Sequence, residues 1–137
     1  MTKEELVASV KDIMGKNRAG DVDGSYVGYG ALYQRDGFTA LAPGDQRQAL
    51  KLLIMSKRSG AQPPSLSDAH RAALVPLNEL VAAHNDPEDY EMLGLCHLIL
   101  GNEQAASNIF REALSLERAR NPQSDLCGRL MTRISAI

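Results

Sequence analysis

The chain has 137 residues, 44% of them hydrophobic but only 4% aromatic, with no Trp. That length suits one domain over residues 1–137, with a core resting on Leu, Ile, Val, Met and Ala, a mix that favours helices. A formal net charge of −2 argues against nucleic acid or an anionic membrane as partner, since both demand concentrated basic charge.

Thr2 followed by Glu5 is a capping-box signature, so a helix is expected to begin at once. Leu6, Val7, Val10, Ile13 and Met14 recur at helical spacing, and Gly15, Asn17 and Gly20 end the run. Ala19 to Gly24 reads as a loop. A second helix is predicted from Ser25 to Gln34, with Tyr26, Tyr29, Leu32 and Tyr33 as one stripe. Gly28 and Gly30 inside it cost about 1 kcal/mol each against Ala, so tertiary contacts must hold it. Phe38 to Leu41 suggests a short helical turn. A third helix follows Pro43, carries Ala49, Leu50, Leu53 and Ile54, and is expected to end near Gly60.

Ala61 to Pro64 is the most loop-like segment. A fourth helix is expected to run to about Asn85, with Leu74, Leu77, Leu80 and Val81 inward. Pro76 in its middle costs about 3 kcal/mol or bends it. Asp86 and Pro87 start a fifth helix that reaches Leu100. A sixth runs from about Glu103 to Arg120, with Ala106, Phe110, Ala113 and Leu114 on one face, and a seventh from about Ser124 to Ser135, with Leu126, Leu130, Met131 and Ile134 as its stripe. No segment alternates with period two. About seven helices as antiparallel hairpins, and no strands, make this an all-α chain.

Chemistry-bearing patterns are few. Cys96 and Cys127 lie far apart, without metal-ligand or disulfide-scaffold spacing. Asp21, Asp23 and Gly24 resemble part of a calcium loop, but Ala19 and Gly30 stand where its outer ligands belong. His97 reads as a packed group and His84 as a helix-end cation. No phosphate loop, nucleophile elbow or dinucleotide fingerprint occurs. No metal, cofactor or catalytic residue is therefore expected. The chain opens without an apolar run, and the stretch from Leu93 to Leu100 is broken by Gly94 and His97. The expected location is the cytoplasm, with no membrane partner.

One motif is specific. Tyr90, the pair Leu93 and Gly94, His97, Gly101, then Ala106, Phe110 and Ala113, with Pro122 after them, follow the tetratricopeptide pattern W-x2-L-G-x2-Y, A-x3-F, P. Residues 87–122 therefore resemble a tetratricopeptide repeat, with Tyr for Trp and His for Tyr. Small residues at Gly94 and Ala106 would let two helices close on each other, while Tyr90, Leu93 and Phe110 fill the wedge. Tyr26, Tyr29, Gly30 and Tyr33 echo the first half, with the helix of Ala49 and Leu53 as the expected partner.

The resemblance implies a right-handed helical solenoid, or a compact bundle derived from one, ending in a capping helix at about 123–137. The polar side of that cap, with Gln123, Asp125, Arg129 and Arg133, is expected to face solvent. By phase with the family, the concave face would carry Glu88, Glu91, Leu95 and Leu98, and its acids, with Asp86 and Asp89, suggest a ligand with a basic or amphipathic segment. The implied function is a non-catalytic protein–protein interaction module, an adaptor or scaffold. The rival is a small export-type chaperone holding an unfolded client, and a third reading is a small enzyme with an unrecognised helical site.

Overall fold

The computed structural model describes all of residues 1–137. It is all-α: α1 (Lys3–Arg18), α2 (Val22–Gln34), a 3₁₀ turn (Phe38–Ala40), α3 (Pro43–Ile54), α4 (Ser65–His84), α5 (Pro87–Ile99), α6 (Glu103–Arg120) and α7 (Asp125–Ser135). The chain divides into two compact units, Met1–Pro76 and Leu77–Ile137. α4 runs unbroken through the division, which falls at Pro76. Proline has no N–H for the carbonyl four residues earlier, so the ladder of α4 lacks a bond there.

The first unit begins with the expected capping box. The Glu5 amide donates to Thr2 Oγ1 and the Thr2 amide to Glu5 Oε1, both at 3.1 Å. Leu6 and Ile13 of α1 are buried, whereas Val7 and Met14, expected on the same face, remain exposed. α2 starts three residues earlier than its apolar stripe suggested, because Asp21 Oδ1 accepts from the Gly24 amide and caps it. Its stripe of Tyr26, Tyr29, Leu32 and Tyr33 is buried as expected. The Tyr33 ring meets Tyr29 at 6.1 Å and Phe38 at 5.5 Å between centroids, and its hydroxyl donates to the Ala49 carbonyl at 2.9 Å.

Of the two glycines inside α2, Gly28 is explained by its neighbour and Gly30 is not. A methyl on Gly28 would lie 2.7 Å from Ile13 Cγ1 of α1. One on Gly30 would lie 3.6 Å from the Ala69 backbone of α4, in ordinary contact. The nearest neighbour of Gly30 is thus Ala69 of α4, while Tyr33 of the same helix bonds α3. α3 also ends at Ile54, short of the expected Gly60, because Ser56 Oγ and Arg58 Nη1 both donate to the Leu53 carbonyl at its end.

In the second unit α5 and α6 form the expected hairpin. Gly101, with φ of 81°, takes the left-handed position after α5. The Asn102 amide donates to the His97 carbonyl at 2.8 Å and the Gly101 amide to Leu98 at 3.1 Å, the double bond of a Schellman stop. The wedge is Phe110, fully buried with Ala106 and Ala113. A Cβ on Gly94 would collide with the Phe110 ring, 2.7 Å from Cδ1. Gly94 thus makes room for an aromatic edge, where the motif suggested backbone-to-backbone approach. α7 packs on α6 through Leu126, Cys127 and Leu130. Only one such hairpin lies in this unit, and the recurrence that would make it a tetratricopeptide repeat is not seen.

Phe110→Ala is expected to cost about 3–5 kcal/mol in urea unfolding, as for other buried rings. Gly94→Ala alone should cost about 1–3 kcal/mol by overpacking, and that cost should vanish in the Phe110→Ala background. Additive losses in this double-mutant cycle would show that the two residues do not share the wedge.

Candidate functional site

Of the four residues assigned to a partner face, Glu88 alone lies open to solvent. Leu95 and Leu98 are half-buried against the cluster of Ala106, Phe110, Leu126 and Leu130. Glu91 is completely buried, and its neighbour Asp89 is too.

The burial of Glu91 has a definite cause. Arg129 of α7 donates through Nε to Oε2 at 3.2 Å and through Nη2 to Oε1 at 3.1 Å, while Arg133 Nε donates to Oε2 at 2.9 Å. Arginine at i and i+4 of one helix brings two forks to one carboxylate. Burial raises the Glu91 pKa, but the hydrogen bonds and charges of Arg129 and Arg133 outweigh it, holding the group below its ordinary value. Hydrogen bonding to Glu91 likewise raises Arg129. The cap's two arginines were expected to face water, yet they reach across to α5. The acidic face does hold basic side chains, and they belong to this chain's own last helix. Reversing Glu91 to Lys would set a third cation against two.

A second surface was not anticipated. Between α6 and α7 runs a groove of about 520 Å³, bordered by Arg111, Leu114, Arg118, Met131 and Ile134. Met131, assigned to the inward stripe of α7, is 44% exposed there. Arg118 Nη2 approaches Met131 Sδ at 3.3 Å, across the groove. No acidic residue lines it.

His70 of α4 was also missed. It is fully buried in the first unit, and Nδ1 meets the Leu66 carbonyl at 2.8 Å. A carbonyl only accepts, so Nδ1 carries the proton and Nε2 is the bare acceptor, which has no partner. Burial lowers the His70 pKa; the Leu66 bond opposes this and the charge of Arg58 adds to it. His97 is half-buried, near Asn102 at 3.3 Å, and His84 is exposed. No cluster of three or more His, Cys, Asp or Glu is placed to hold a metal ion. Neither Cys96 nor Cys127 is in a disulfide, and both are buried. No helix is long and apolar enough to cross a membrane.

Two pH effects follow. Glu91, with a lowered folded pKa, contributes stability that is fully present above the ordinary carboxylate range and is lost as pH falls below about 4. Glu91→Gln should cost about 1–3 kcal/mol at neutral pH, since it removes the charge that two partly exposed guanidinium groups bond, and should flatten the acid limb of the stability curve. Glu88→Lys should lower the urea midpoint only slightly, since it removes a charge near Arg129 and an acid from the first turn of α5. His70, also lowered, keeps its neutral form down through the range where the unfolded chain takes up a proton, so stability falls as pH drops below about 6.5. Thermal melts of His70→Leu at about pH 7.5 and about pH 5 should differ less than those of the parent chain, with the variant the more stable at the lower pH. An equal drop in both proteins would show that His70 is not the group responsible.

No protein-family model, no curated protein and no solved structure matches this chain.

Proposed function

We propose that the chain is a non-catalytic interaction module and that the α6–α7 groove receives an acidic, amphipathic helix of a partner protein. The observation that carries this reading is an apolar floor made of the exposed Met131, the half-buried Ile134 and the edge of Leu114, with Arg111 and Arg118 along its α6 side. A helix docking there would lay a stripe at i, i+3, i+4 and i+7 on the floor and set flanking carboxylates against the arginines. Rim charges of this kind act mainly on association rate and selectivity, while the apolar floor supplies affinity. The likeness of residues 87–122 to a tetratricopeptide hairpin supports the same class of function. It moves the proposed contact from the acidic face of α5, where Glu91 is engaged by α7, to the seam between α6 and α7.

A fluorescent helix-forming peptide with that Leu stripe and flanking Glu tests the reading by anisotropy. Binding should saturate and weaken with added salt. Arg111→Glu with Arg118→Glu should weaken it by about tenfold or more, with the helical circular dichroism unchanged. Unchanged affinity would overturn the site. Tighter capture of a matched basic helix would overturn the charge assignment and favour the Glu88 side of α5. Preference for an unstructured peptide of the same composition would favour the chaperone reading instead.

A further inference from the structure

The first unit holds a cavity that the interaction reading does not use. It lies among the end of α1, the middle of α2 and the end of α3, with a volume of about 290 Å³. Three cations border it, Arg18, Lys57 and Arg58, and no carboxylate does. The side chains of Arg18 and Lys57 take part in no ion pair or hydrogen bond. Like charges gathered without a counter-ion repel one another, so the arrangement costs stability unless an anion joins it.

Arg58 is already held in place. Its Nη1 donates to the Leu53 carbonyl and to Ser56 Oγ, both at 2.8 Å, and Ser56 Oγ donates to the same carbonyl at 2.7 Å. Nε and Nη2 remain unbonded, on a guanidinium whose position is fixed. Tyr29 supplies the second feature. Its residue is 8% exposed, its ring is stacked on Tyr33, and its hydroxyl has no hydrogen-bond partner. The only buried polar side-chain atom without a partner is His70 Nε2, so the Tyr29 oxygen is not sealed in protein but open to the cavity it lines. Burial raises the Tyr29 pKa, keeping the hydroxyl a proton donor. Met14 and Leu52, both partly exposed, form an apolar wall on the same cavity.

We propose that this cavity binds a small phosphate monoester, its dianion held by Arg18, Lys57, Arg58 and the Tyr29 hydroxyl, and its organic part against Met14 and Leu52. Three positive charges and one neutral donor match a doubly charged group with three terminal oxygens. A cavity near the lower limit of about 300 Å³ for small-molecule sites admits a compact ester and excludes a nucleoside triphosphate. The carbonyl ends of α1 and α3 also lie near, and their partial negative charge opposes an anion. Arg58 already bonds the Leu53 carbonyl near the end of α3, which removes part of that opposition.

The test is calorimetric titration of the full chain with phenyl phosphate, inorganic phosphate and benzoate. Phenyl phosphate should bind with a dissociation constant in the millimolar range or tighter, ahead of both others. Arg18→Gln with Lys57→Gln should weaken it by about tenfold with no fall in melting temperature, because neither side chain bonds to the fold. Tyr29→Phe should weaken it by several-fold. Arg58→Gln is the less decisive variant, since it also loosens the end of α3. No saturable heat from phenyl phosphate, or equal binding by benzoate, would overturn the proposal. So would full affinity in the Arg18→Gln, Lys57→Gln double variant.

Discussion

A carboxylate with no exposed surface has to be neutralised where it lies, and Glu91 is neutralised by two guanidinium groups that arrive from α7. The desolvation of Glu91 is recovered only if the hydrogen bonds from both arginines are made together. That requirement sets the rotation of α7 about its own axis. With Arg129 and Arg133 aimed at α5, Leu126, Cys127 and Leu130 fall on the Phe110 cluster, and Met131 is left facing outward beside α6. The exposure of Met131 is therefore a by-product of how the buried acid is satisfied.

The first unit is organised by rings and small residues in place of charge. Tyr29, Tyr33 and Phe38 form a contiguous aromatic block, and Gly28 lets α1 come close to the helix that carries it. The same block fixes Tyr29 beside the cationic cavity, so the feature that builds the core also orients a donor towards solvent.

Helix existence and most boundaries were legible in the sequence, because they depend on local signals: the Thr2–Glu5 box, Pro43 and Pro87 at first turns, and Gly101 after α5. The wedge of Phe110 was legible for the same reason, as spacing alone places it opposite Gly94. What covers each face was not. Periodicity marks the acidic side of α5 but not the helix that lies on it, so Glu91 read as available when it was already paired. The sign was present all the same: Arg129 and Arg133 stand four residues apart on one side of a short amphipathic helix. His70 had a signal as well. Leu66, Ala69, Ala73 and Leu77 flank it at helical spacing, all buried, which puts the imidazole inside the stripe. Its missing Nε2 partner, and the cavity among α1, α2 and α3, depend on residues far apart in the chain and had no local mark.

The distribution of two residue types gives each unit its own reporter. Both cysteines lie in the second unit, on α5 and α7, and their sulfurs are covered. Three of the four tyrosines lie in the first, all on α2, and there is no Trp to mask them. A thiol reagent therefore clocks only the opening of the Leu77–Ile137 unit, while near-ultraviolet absorbance and fluorescence follow chiefly Met1–Pro76. The chain thus comes ready-labelled for asking whether its halves open as one cooperative body or as two.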